Sequence, residues 1–190
     1  MESETRQLSK MRDRLTTLLD THLSSLDHST LRPAVGEVVI QQNTPAEHIL
    51  IVRTGELHVE RTEPGGTPQL IATIGPDEMV GEMALIDNQH HSATVTVSRG
   101  PTELLAVRAD DLLQSAIYDS DLVMELLALS SFRCRQTNRH LALILEALEA
   151  LIRNDEFTLE RCCDNMANGP SKALEGAAKR LRHLAEIHKQ

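Results

Sequence analysis

The spacing of apolar positions changes character along the chain. Between residues 4 and 26, Leu8, Met11, Leu15, Leu18, Leu19, Leu23 and Leu26 recur at three- and four-residue steps, which predicts an amphipathic helix. From Leu31 the period shortens. GEVVIQQ, HILIVRT, ELHVERT, QLIATI, ATVTVS and TELLAV are short β-branched runs. Gly36, Asn43-Thr44-Pro45, Gly55, Pro64-Gly65-Gly66, Gly75-Pro76 and Gly100-Pro101 separate them. Short strands divided by regular turn signals predict an all-β sandwich or roll over residues 31–108.

Helical spacing returns at Ala109 and persists to the C-terminus. The longest helix is predicted from near Asp119 to Ile152. With Leu127 at heptad position a, the a and d positions read Leu127, Ser130, Cys134, Thr137, Leu141, Ile144, Leu148 and Leu151. That seam is apolar at its ends and small or polar in its middle, a pattern suited to pairing with a second helix. Asn154-Asp155 stops it, and a last helix is predicted from Pro170 with the stripe Leu174, Ala177, Ala178, Leu181, Leu184 and Ala185. The expected class is α+β. Its parts are an N-terminal helical segment (1–30), a β unit (31–118), a long helix (119–153) and a helical tail (154–190).

Composition narrows the function classes. Aromatics are only 2% of 190 residues, so the core must come from Leu, Ile, Val, Ala and Met, and no stacking platform for unpaired bases is available. A net charge of −9 argues against a generic nucleic-acid or anionic-membrane surface, both of which are held through Lys and Arg. MESETRQLSKMRDRL has no apolar h-region of a signal peptide, and no apolar run is long enough to span a bilayer. The expected compartment is the cytoplasm. Cys162 and Cys163 are neighbours rather than a CxxC pair, so buried or idle thiols are expected; a redox or metal role drawing in His183 is the alternative.

The stretch that carries chemistry is GEMALIDNQHHSATV, residues 81–95. Gly81 lets the chain turn sharply and approach a ligand closely. The helix-competent Met83-Ala84-Leu85 follows, and unpaired N–H groups at the start of such a turn favour an anion. Glu82 would repel a phosphate unless it faced a hydroxyl donor, so sugar hydroxyls beside a phosphate fit. The plainer reading is an acid favourable with a helix dipole. No nucleophile elbow, Walker loop, HExxH or deaminase signature is present, so catalysis is not expected. His90, His91, Glu82 and Asp87 have no metal-ligand spacing of a known type.

GEVVIQQNTPAEHILIVRTGELHVER, IATIGPDEMVGEMALIDNQHHSATV and TELLAVRADDL together resemble the cyclic nucleotide-binding domain of the catabolite-activator (CRP/FNR-like) superfamily, over roughly residues 20–153. The resemblance implies an eight-stranded, jelly-roll-like β roll with a helix in front and a long dimerising helix behind. It implies that Glu82 accepts from the ribose 2′-hydroxyl, that backbone amides near Met83, Ala84 and Leu85 cradle the cyclic phosphate, and that His91-Ser92-Ala93 closes on it. The family's arginine is His91 here. Arginine offers a permanent, forked charge, whereas neutral histidine offers one donor. Losing a charge-assisted bond of about 1.5–3 kcal/mol weakens affinity roughly 10- to 150-fold. RCRQTNRHL resembles the segment whose Thr and following small polar residue reach the base, here Thr137 and Asn138. A register-setting polar interruption of the coiled coil is the competing reading.

The family's transcription factors continue into a winged helix-turn-helix, which residues 154–190 are too short to supply. Arg161, Lys172, Lys179, Arg180, Arg182 and Lys189 are balanced there by Asp155, Glu156, Glu160, Asp164, Glu175 and Glu186, so DNA is not an expected partner. The expectation is a non-enzymatic sensor that takes cAMP or cGMP, needs no cofactor or metal, pairs through Leu127–Leu151 as a homodimer, and signals to a partner protein. The alternatives are a degenerate roll kept as a dimeric interaction scaffold, or a roll for another anion such as a cyclic dinucleotide or a carboxylate metabolite.

Overall fold

The computed structural model describes residues 2–22, 26–86, 90–169 and 171–188. Its elements run α1 (Glu2–His22), β1 (His28–Leu31), β2 (Val38–Ile40), β3 (His48–Arg61), β4 (Gln69–Ile74), β5 (Met79–Val80), α2 (Glu82–Ile86), β6 (Thr94–Arg108), α3 (Ala109–Tyr118), α4 (Ser120–Ile152), α5 (Glu156–Ala167) and α6 (Lys172–His188). They form two compact units, residues 1–132 and 133–190, with α4 contributing to both. Leu23 of the predicted N-terminal stripe and Pro170, the predicted start of the last helix, lie outside those described.

The first unit is an antiparallel roll with helices packed on it, the α+β class the sequence predicts. Its strand order is β1-β6-β3-β4, with β2 on β6 and β5 on β3. The eight strands implied by the resemblance are six continuous strands among the described residues, for a local reason. HILIVRT and ELHVERT run together as β3, and ATVTVS and TELLAV as β6, because these long strands stay paired through the intervening turn residues. Register shifts around Thr54 and Glu56 absorb the irregularity that Gly55 and Gly100-Pro101 introduce. β1 and β5, both too short to show a period in the sequence, complete the sheet.

Strand alternation divides the apolar residues between two cores. On β3, Ile49 and Ile51 point one way; Leu50 and Val52 point the other, and Leu57 and Val59 join them beyond the bulge. Leu105 and Val107 on β6 join the first set, while Val95, Val97, Leu104 and Ala106 join the second. The first core is closed by Leu15 and Leu19 of α1, Leu112 of α3, and Leu122, Leu126 and Leu129 of α4. The second fills the roll. ILIV and LLAV read as unbroken apolar runs because both faces of the sheet are covered there.

The second unit contains a helix that the apolar spacing did not reveal. Asn154 adopts φ 54° and ends α4; its N–H donates to the Leu151 carbonyl (3.2 Å), and Asp155 N–H donates to that of Ala150 (2.9 Å). Asp155 then caps the next helix, its carboxylate accepting from Thr158 N–H (3.1 Å). The residues that stop α4 therefore start α5. Leu159, Cys162, Cys163 and Met166 form its buried stripe against Ala147, Ala150, Leu174, Ala178 and Leu181. Burial pushes both thiols of Cys162 and Cys163 above their ordinary range, so they pack as small apolar groups. Cys134 is exposed.

Candidate functional site

The candidate site lies where the turn after β2, the end of β3 and the segment leading into β6 meet, with the Gly81 turn close to His91. β5 is held to β3 by the pairs Leu50–Val80 and Ile51–Met79, which fixes where Gly81 leaves the sheet. Gly81 has φ +98°, and a Cβ there would lie 3.2 Å from the His48 carbonyl oxygen and 3.4 Å from Cε1 of His91. The positive φ and the close His48 carbonyl favour a bare glycine here, with the His91 ring in ordinary contact beside it. The backbone of His91 is fixed from the other side: its N–H donates to the Thr44 carbonyl (2.9 Å), and Asn43 N–H donates to its carbonyl (2.8 Å). His90 forms an isolated bridge with Pro45.

Around this junction opens a polar cavity of about 410 Å³ lined by Gln42, Asn43, Arg61, His90, His91 and Ser92. Its volume lies in the range of small-molecule sites. Of the residues singled out in the sequence, His91 and Ser92 line it, and Gly81 lies next to the His91 ring without lining it. Glu82, at the start of α2, is 2% exposed, and Ala84 and Ala93 are buried. Met83 points to solvent at 60% exposure. Leu85 belongs to α2, its side chain outside those described, as are Asp87, Asn88 and Gln89. Thr137 and Asn138 are exposed on α4 in the second unit, where the Thr137 hydroxyl donates to the Arg133 carbonyl (3.0 Å). Among the described residues, no group of three or more His, Cys, Asp and Glu side chains is arranged to hold a metal ion. None of the described helices is long and apolar enough to cross a membrane.

Arg61 was not anticipated from the sequence, and neither were Gln42 and Asn43. A signal for Arg61 was present: Leu57, Val59 and Arg61 share one strand parity, and the first two point into the roll. The Gln42 side chain is itself pinned, donating to the Thr62 carbonyl and accepting from Thr62 N–H, both at 3.0 Å.

His91 is 8% exposed, and loss of solvent holds its pKa below the ordinary 6.5. The ring is therefore neutral at pH 7. Its contribution to stability is full above pH 6.5 and is lost as pH falls through the folded-state value, because the unfolded chain takes up the proton first. The melting temperature is expected to drop more steeply between pH 7.5 and 5.5 in the parent than in His91→Gln. Parallel melting curves would contradict this.

The roll resembles known proteins. Residues 31–117 match the family model of the cyclic nucleotide-binding domain. The chain is 32% identical over 109 residues to a CRP-like cAMP-activated global transcriptional regulator of Mycobacterium tuberculosis (strain CDC 1551 / Oshkosh), covering 56% of this chain and 47% of the regulator. It is 26% identical over 161 residues to the cyclic AMP receptor protein of Thermus thermophilus, covering 76% of this chain and 74% of the receptor. The solved catabolite activator protein of Thermus thermophilus has the same fold, with a TM-score of 0.56 at 23% identity over 89% of this chain and 94% of that one.

Residues 31–117 thus form a cyclic nucleotide-binding domain of the CRP/FNR-like kind. The matched region spans about half the length of the mycobacterial regulator, 47%.

Proposed function

We propose that this chain is a cyclic nucleotide sensor: the roll takes up a cyclic mononucleotide, and occupancy is passed to a partner protein through α4 and the helices after it. The observation that carries the reading is the polar cavity flanked by the His91-Ser92 end of the glycine-glutamate cassette. The names of the mycobacterial and Thermus relatives make cAMP the first ligand to test and cGMP the second. In this reading the amides of Met83, Ala84 and Leu85, with His91, Ser92 and Ala93, receive the cyclic phosphate beside Gly81. Glu82 takes the ribose 2′-hydroxyl.

Two copies pair through α4. Leu127, Leu141 and Leu148, one or two heptads apart, are 50%, 54% and 39% exposed, an apolar stripe suited to a second helix. Sedimentation equilibrium tests this: a monomer at tens of micromolar rules it out. The chain acts as a cytoplasmic, non-enzymatic regulator. Binding shifts its equilibrium only as far as the ligand prefers one arrangement over the other.

Thermal denaturation in the presence of cAMP, cGMP and the linear 5′-monophosphates tests the reading. A rise with a cyclic nucleotide and none with its linear form is expected, since a ligand of the folded state stabilises it by mass action. No shift with either cyclic nucleotide at millimolar concentration contradicts it. The neutral, buried His91 favours a second reading, a roll kept as a dimeric scaffold, and that negative result would select it.

A further inference from the structure

The cavity holds a permanent cation that the family resemblance does not assign. Arg61 ends β3, and its guanidinium reaches across to the segment that starts β6: Nη1 donates to the Ser92 carbonyl (3.3 Å). Its Nε donates to the Glu63 carboxylate (2.7 Å), and the two side chains are 47% and 69% exposed. The next residue is locked in place, because Thr62 exchanges two backbone hydrogen bonds with the pinned Gln42 side chain. Gln42 is fixed in turn by its own N–H, which donates to the Thr94 hydroxyl (3.2 Å). The stem of Arg61 therefore starts from a fixed point on the cavity wall, and its head lies in the same cleft as His91 and Ser92.

We propose that Arg61 is the phosphate-holding cation of this cleft, supplying from β3 the permanent charge that the cassette itself lacks at position 91, with Glu63 as the counter-ion the phosphate displaces. The inference rests on the cyclic nucleotide reading and names the residue that makes it workable. A guanidinium presents its donors in a fork that matches two phosphate oxygens. Its exposed pairing with Glu63 is the weak kind of ion pair, readily exchanged for a phosphate ester. Through the Ser92 carbonyl the same guanidinium ties the β3 end to the 90–92 segment, so a phosphate bound there would draw both walls together.

The test uses the full chain with cAMP as the probe, reading the Arg61 Nε–Hε resonance by NMR and affinity by calorimetry. The resonance, assigned by its loss in Arg61→Lys, is expected to move on titration. Arg61→Gln is expected to weaken binding about 10- to 150-fold. Arg61→Lys should fall between, keeping the charge but not the fork, and Glu63→Gln should tighten binding up to about fivefold. If cAMP shifts the backbone amides of Gly81 to Ala84 while the Arg61 resonance stays still and Arg61→Gln binds as the parent does, this inference falls and the sensor reading stands. If nothing shifts at millimolar cAMP, both fall. The NMR reading is made on the parent chain, so it holds even where a variant folds poorly.

Discussion

Gly55→Ala is expected to lower the stability of the roll by several kcal/mol, while Gly36→Ala costs far less. Both glycines have positive φ, +93° and +87°, so each substitution carries backbone strain of about 1–3 kcal/mol. They differ in what surrounds them. A Cβ at Gly36 meets nothing within 4 Å; one at Gly55 meets the Arg99 carbonyl oxygen at 2.9 Å, the Thr102 Cα at 3.0 Å and, closer still, the Thr102 hydroxyl. Two of these atoms are backbone and cannot swing aside, and overpacking of this kind adds about 1–3 kcal/mol. Thr102 is also held, its hydroxyl donating to the Arg99 carbonyl (3.1 Å). The sum is a large part of the roughly 5–15 kcal/mol that keeps a domain folded. Denaturant melts of the two variants check it, and equal losses at the two positions would contradict the crowding described here. Because Gly55 lies within β3, whose far end carries Arg61, the damage should extend to the cavity.

The second large effect is on binding. Glu82→Gln is expected to weaken cyclic nucleotide binding about 10- to 150-fold while leaving the fold intact, since it keeps the volume of a side chain that is 2% exposed and removes its charge. A carboxylate accepts from a hydroxyl more strongly than an amide oxygen does. The identity of the hydroxyl can be read from a double cycle with 2′-deoxy-cAMP. If Glu82 takes the ribose 2′-hydroxyl, removing the hydroxyl or the charge costs about the same, and removing both costs little more. Fully additive losses would mean that Glu82 acts elsewhere, through packing of α2.

Much of the architecture was legible because burial on both faces of the roll leaves a direct trace. ILIV (49–52) and LLAV (104–107) are apolar without alternation, and QLIATI coincides with β4, Gln69–Ile74. The strand count was not legible. Gly55 and Gly100-Pro101 look like turns in one dimension, yet β3 and β6 run through them because their partners continue on either side. α5 was hidden by a double use of two residues: Asn154-Asp155 reads as a stop, and Asp155 is also a cap. Its stripe of Leu159, Cys162, Cys163 and Met166 has helical spacing but only one branched aliphatic residue, too few to make the stripe conspicuous.

The candidate site was half legible for a related reason. Gly81, His91 and Ser92 lie within one short segment and could be read together. Arg61, Gln42 and Asn43 come from other elements and meet that segment only after the sheet has formed. Arg61 compounds this by ending a strand beside Glu63, where a charge pair looks like an ordinary solvated edge. The cation that compensates for His91 was thus far from it in sequence, although the alternation of Leu57 and Val59 already set its direction.

The most direct measurement is isothermal titration calorimetry of the full chain with cAMP at pH 8 and pH 6. Saturable binding of one nucleotide per chain, tighter at pH 6, is expected. A phosphate beside His91 raises the pKa that burial has lowered, so the complex takes up a proton as it forms. Absence of heat at both pH values, with millimolar ligand and a chain shown to be folded, would contradict it.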